Sequence, residues 1–142
     1  MNDTLLTDGH DTQKLVMTQI WDDRLHFSQV SELPVSFAPT TFAHIVPKGK
    51  YQRWKTIPMN IILLTPEEHH DYDFLTHKVI NDSKWVWVFE VASLIKRVDT
   101  LINRINPSLT LKDCAPFDGQ IKELINEAVA ILVKHTKKRK KW

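Results

Sequence analysis

The four residues Thr65-Pro66-Glu67-Glu68 constrain the fold of this chain more than any other stretch. A threonine with a glutamate three positions later is the pattern of a capping box. The hydroxyl accepts from the backbone N–H three residues on, and the glutamate reaches back to the threonine's own N–H. Proline at the first helical position has no N–H to leave unpaired. This predicts a helix from Pro66 to about Val79, broken at Asn81-Asp82-Ser83. The apolar run Ile61 to Leu64 lies just before it, preceded by a turn framed by Pro58 and Asn60. A second run, Thr41 to Val46, carries His44 among Phe42, Ile45 and Val46, and Pro47-Lys48-Gly49-Lys50 ends it. The reading is strand, turn, strand, capped helix.

Helices dominate on either side. Leu15, Val16, Ile20 and Trp21 recur at near-helical spacing, which predicts a helix from Asp11 to about His26, capped by Asp11 or Thr12. Pro34 and Pro39 make residues 27 to 41 a loop with short extended pieces. From Lys84, apolar residues from Val88 to Ile105 recur at three- and four-residue steps until Asn106-Pro107 stops them. Trp85 and Trp87, at the start of that helix, read as packing residues. A last helix opens at Phe117 or Asp118 and carries Ile121, Leu124, Ile125, Ala128, Ile131 and Leu132 on one face. The expected class is α+β: mostly α-helical, with one small β-hairpin followed by a helix. The expected division is a hairpin-containing part over residues 1–82 and a helical extension over 83–142. The apolar faces of the last two long helices need cover, from the hairpin part or from a second copy in a homodimer.

Composition narrows the classes. At 142 residues the chain is long enough to bury a core. Its single cysteine, Cys114, allows no internal disulfide and no CxxC zinc ribbon. No apolar run approaches the roughly 18 residues of a membrane span. The polar, acidic N-terminus does not read as a signal peptide, so a cytoplasmic protein is expected. The net charge of +2 conceals an uneven distribution, because Lys137 to Lys141 are all basic. A tail from Lys134 to Lys141 would add salt-sensitive affinity for nucleic acid, or would simply solubilise the end of the chain. Lys48, Lys50, Arg53 and Lys55 alternate with Tyr51 and Trp54 between the strands. Such a passage can contact phosphates and stack on bases, or it can be a solvated loop with its aromatics folded onto the core.

His69 and Asp73 stand four apart on the capped helix, so they share one face. An imidazole nitrogen and a carboxylate at that spacing can hold one divalent ion. Two such residues alone are more often a polar helix face without metal. A lone histidine in an apolar strand, such as His44, is ordinarily a hydrogen-bonded core residue.

The joint pattern adds meaning to these residues. A strand histidine (His44), an asparagine before the second strand (Asn60) and a helix histidine nine residues on (His69) resemble the HNH, or ββα-metal, endonucleases. Ala43-His44-Ile45 followed by Pro47-Lys48-Gly49-Lys50-Tyr51 is similar to phage-type members. The resemblance covers about 32 residues, Phe42 to Asp73. It implies a hairpin and helix around one divalent metal, Mg²⁺ or Mn²⁺, with Zn²⁺ or Ni²⁺ as alternatives. His44 would be the general base for hydrolysis of DNA phosphodiesters, Asn60 would fix the loop bearing it, and His69 with Asp73 would bind the metal. Lys48, Lys50, Arg53 and Lys55 would contact DNA, in a host-cell cytoplasm if the chain is phage-encoded. Ala43 departs from the pattern, since the family commonly has a metal-binding Asp, Glu or His there. Thr65 and Glu68 stand where two cysteines are often found. The rival expectation is an HNH-fold module without activity that holds nucleic acid or a protein. A third is a purely helical interaction protein in which the motif is accidental.

Overall fold

A computed structural model describes residues 3–6 and 12–139. Strand β1 (Phe42–His44) pairs antiparallel with β2 (Ile61–Leu63), setting Phe42 opposite Leu63, Ala43 opposite Ile62 and His44 opposite Ile61. A two-stranded hairpin this short is marginal in water by itself. Here both faces are covered, and alternation along the strands divides the side chains between two layers. Phe42, Ile61 and Leu63 pack with Val16 and Ile20 of α1 (Gln13–Asp23). Ala43, Ile62 and Leu64 join a larger cluster with α4 (Val86–Ile105) and α6 (Gly119–Lys134). The architecture is the expected mostly helical α+β arrangement.

The caps settle where the helices begin. Thr12 Oγ1 accepts from the Leu15 N–H at 3.2 Å and starts α1, whereas Asp11, the other candidate cap, lies outside the described residues. That helix ends at Asp23, three residues short of His26, and Leu15 is exposed. The capping box at Thr65 is present in both directions. Thr65 Oγ1 accepts from the Glu68 N–H at 3.2 Å, and Glu68 Oε1 accepts from the Thr65 N–H at 2.8 Å.

Helix α2 (Pro66–Asp73) is shorter than its predicted end at Val79. The Thr76 N–H donates to the Asp71 carbonyl, and the Leu75 N–H to that of Tyr72. This is a Schellman ending, with Leu75 in the left-handed region at φ 47°. Glycine usually announces such a stop, and its absence here hid the break. The chain resumes as a short α3 (His77–Ile80) before Asn81.

The C-terminal half follows its apolar pattern. A turn over Ser83–Trp85 leads into α4, and both Trp85 and Trp87 are buried. After Asn106 comes a short α5 (Leu111–Cys114), and Asp118 is the N-cap residue of α6. One hydrophobic cluster contains hairpin residues together with Val91, Ile95, Leu124 and Ala128, so the core runs across residues 82 and 83. The apolar faces of α4 and α6 pack on each other and on the hairpin within the chain, while Val86, Ile105 and Val133 of these helices are exposed. Among the described residues, no helix is long and apolar enough to cross a membrane.

Two anchors had no signal in the sequence. Arg24 is buried, and its guanidinium donates to the Ile61 carbonyl at 2.6 Å, the Pro58 carbonyl at 3.0 Å and Gln29 Oε1 at 2.8 Å. Burial lowers its pKa from 12.5 to about 10, against the pull of Asp23, so it stays charged at neutral pH. Gln29 lies along the free edge of β2: its N–H donates to the Leu63 carbonyl, and its Oε1 accepts from the Leu63 N–H. Gln29 Nε2 also donates to the His135 carbonyl, while the Leu25 N–H donates to the Lys137 carbonyl and the Arg139 N–H to that of Asp23. The basic tail is therefore docked along residues 23–25 as far as Arg139, and Lys137 pairs with Glu32 at 2.7 Å. Replacing Arg24 with leucine strands two buried carbonyls. It is expected to cost about 2 to 4 kcal/mol of stability in urea denaturation.

Candidate active site

Asn60 is fully buried and closes the loop between the strands. Its Oδ1 accepts from the Val46 N–H at 2.8 Å, and its Nδ2 donates to the carbonyls of Val46 at 3.1 Å and Trp54 at 3.3 Å. One amide thus joins both ends of residues 46–60. The Lys55 carbonyl in that loop lies 2.9 Å from His44 Nε2. A carbonyl can only accept, so Nε2 carries the proton and Nδ1 keeps the lone pair.

His69 is set the same way. Its Nδ1 is 2.7 Å from the Thr40 carbonyl, so Nδ1 carries the proton and Nε2 carries the lone pair. Asp73 Oδ2 lies 3.3 Å from that Nε2. With His69 protonated this is an ordinary ion pair, and with His69 neutral it is two acceptors that a cation could bridge. The carbonyl-to-imidazole bond on the far nitrogen is the usual support of a metal-binding histidine. Nitrogen and carboxylate donors fit a divalent ion. Among the described residues no group of three His, Cys, Asp or Glu gathers around one point, so water would complete the shell. Adjacent His70 is exposed on the outer side of α2, its ring 4.7 Å from that of Phe74.

His44, His69 and Asp73 line one cleft of about 860 Å³, bounded also by Lys48, Tyr72, Gln13 of α1 and Lys96 of α4. Tyr72 holds α2 against the first strand: its hydroxyl donates to the Ile45 carbonyl, and its ring stacks on Trp85 at 5.5 Å. Burial is the main influence on His44 and lowers its pKa below 6.5. The bond to Lys55 opposes this, Lys48 and His69 add to the lowering, and Asp73 opposes it. Gln13 brings a buried Nε2 without a hydrogen-bond partner among the described residues. Nothing in the sequence marked Gln13 or Lys96, because each reaches the cleft only through tertiary packing. Ala43 is fully buried in the α4-side cluster, on the opposite face of β1 from His44. In this register, a side chain at position 43 points away from the cleft.

The basic and aromatic passage divides. Lys48, Lys50 and Lys55 are exposed, but of these only Lys48 lines the cleft. Arg53, expected on DNA, is a strut instead. It forms an ion pair with Asp99 and donates to the Leu109 carbonyl at 2.7 Å and to Asn103 Oδ1 at 2.9 Å. Trp54 is fully buried and donates from Nε1 to Asp99 at 3.1 Å, so it is no stacking platform. Loss of one partner from a buried ion pair typically costs about 3 to 5 kcal/mol. Arg53→Ala is therefore expected to lower the melting temperature by many degrees, and Lys48→Ala to leave it nearly unchanged, in paired thermal melts.

No family model, curated protein or solved structure matches this chain.

Proposed function

We propose that this protein is a metal-dependent endonuclease of the HNH type that hydrolyses DNA phosphodiester bonds. The observation that carries the reading is the His69–Asp73 pair, with Nε2 and Oδ2 3.3 Å apart, in the same cleft as His44, whose Nδ1 has no hydrogen-bond partner among the described residues. His44 Nδ1 takes a proton from water, which then attacks phosphorus. The Lys55 carbonyl holds the ring in the tautomer that can do so. Burial keeps His44 neutral to lower pH than an ordinary histidine, so the base is available at pH 7. His69 Nε2 and Asp73 would hold a divalent ion, which when bound neutralises phosphate charge and stabilises the leaving oxygen as a Lewis acid. The imidazole in that donor set favours Mn²⁺, Zn²⁺ or Ni²⁺ over Mg²⁺. Lys48, exposed at the cleft, is a donor for the non-bridging phosphate oxygens.

A second reading has one observation in its favour: the pair has no third protein ligand among the described residues. On that reading the chain is a nucleic-acid binding module without activity, and it binds DNA with no metal at His69.

Plasmid cleavage with Mg²⁺, Mn²⁺ or EDTA separates the two. The endonuclease needs metal, and His44→Ala lowers its rate by about 10² to 10⁴. Cutting that survives in His44→Ala would remove His44 as the base. Calorimetric titration with Mn²⁺ should give binding in the wild type and in His44→Ala, and none in His69→Ala or Asp73→Asn. Binding that is equal in all four would remove the pair as the metal site.

Acid is expected to act twice through His44. Its folded pKa lies below 6.5, so the unfolded chain binds the proton first. The corresponding stability is complete above about pH 6.5 and is lost as pH falls through the folded value. The acid limb of kcat/KM should likewise fall below pH 6.5, since His44 must be neutral to act. A limb centred above 6.5 would contradict this. In His44→Gln the stability profile should be flatter across the same range.

A further inference from the structure

We infer that the DNA path leaves the cleft along one face of α4, where Lys96, Arg97 and Arg104 bind successive phosphates of a duplex. This rests on the endonuclease reading above. Three observations carry it.

The first is continuity. A second groove of about 480 Å³ lies between α4 and the start of α6, and it shares Phe89, Ala92 and Lys96 with the active-site cleft. Lys96 faces both spaces. The second is register. Lys96, Arg97 and Arg104 line the groove with Ser93 and Thr100 between them, at the spacing of one helix face. All five are exposed. Lys96 to Arg104 spans about 12 Å of helix axis, the rise of three to four base pairs.

The third is that these cations are free. None of the three has an ion pair or a side-chain hydrogen bond among the described residues, and no carboxylate lines the groove. The carboxylates of α4 are Glu90, outside the lining, and the buried Asp99 that holds Arg53. The other basic groove contrasts with this. Of its four cations, Lys84 pairs with Asp82 at 3.6 Å, Lys137 with Glu32 at 2.7 Å and Arg24 is buried on backbone carbonyls, which leaves Lys134. Neutralised cations have little left for phosphate, whereas unpaired ones release counterions when they bind it.

The experiment is equilibrium binding of a fluorescent DNA duplex in EDTA across a salt series. It compares the wild type with two triple variants that lose the same charge. One is Lys96→Gln, Arg97→Gln, Arg104→Gln. The other is Lys78→Gln, Lys112→Gln, Lys122→Gln, three exposed lysines outside the groove and the cleft. The groove variant should bind about tenfold or more weakly, and its slope of log K against log salt should fall by about 2 to 3. The control should keep most of both, and circular dichroism should show that all three proteins are folded. Equal losses in the two variants would mean that net charge alone attracts DNA, and would overturn the groove. A wild type that cuts DNA while the groove variant binds and cuts as well also overturns it, with the nuclease reading intact. A wild type that neither binds nor cuts any DNA ends both.

Discussion

The buried amide of Asn60 is the contact on which the site depends. Residues 46–60 form a loop with little regular structure, yet the Lys55 carbonyl must stand within 2.9 Å of His44 to fix its tautomer. Asn60 joins the two ends of that loop and also reaches the Trp54 carbonyl, so the position of Lys55 follows from its bonds. A second set of bonds carries the same order outward. Trp54 and Arg53 share Asp99 of α4, and Arg53 also holds the Leu109 carbonyl beyond that helix. The loop that holds the His44 ring is thereby fastened to the C-terminal half. A buried polar network of this kind is costly when any member is removed and rigid when every member is satisfied.

The same interdependence explains the size of the sheet. Three residues per strand cannot hold a hairpin in water, and no bulk of sheet hydrogen bonding compensates here. The hairpin persists because α1 covers one face, and α4 with α6 covers the other. Arg24 and Gln29 meanwhile saturate the backbone at its outer edge. An edge strand ordinarily exposes carbonyls to solvent, and this one gives Leu63 an amide side chain on one edge and Ile61 a guanidinium. The helical extension is accordingly a wall of the site, since α4 supplies both the core beneath β1 and the lysine at the mouth of the cleft.

Much of this was legible in the residues. Thr65 and Glu68 announced α2 because a capping box is a local interaction, written within four positions. The stripes of α4 and α6 were legible for the same reason. His44, Asn60 and His69 were found by their order and spacing, and the structure brings His44, His69 and Asp73 to one cleft with Asn60 beneath it. What could not be read depends on tertiary contacts. Leu75 adopts a left-handed conformation that sequence assigns to glycine, so the end of α2 was misplaced. Arg53 looked like a phosphate ligand because its partner, Asp99, is 46 residues away. Arg24 sits beside two aspartates in an unremarkable polar run, and its acceptors at Pro58 and Ile61 are backbone atoms without any signature. The tail looked like a free basic end, yet its docking is mostly backbone to backbone, which composition cannot report.

The cations of the chain consequently fall into two populations with different physics. Arg24 and Arg53 are interior struts, each using several donors of one planar group to satisfy carbonyls and amides that would otherwise be stranded. Guanidinium suits that work, because its charge is held through the loss of water and its donors fan out in fixed directions. Lys48 and Lys96 at the cleft, with Arg97 and Arg104 beyond, are exposed and have no ion pair among the described residues. A net charge of +2 averages over both kinds and over the carboxylates that neutralise Lys84 and Lys137. Other lysines, among them Lys14, Lys50, Lys55, Lys78, Lys112 and Lys122, are exposed elsewhere on the surface. Lys48, Lys96, Arg97 and Arg104 are set apart from these by their placement along the cleft and the groove that continues from it.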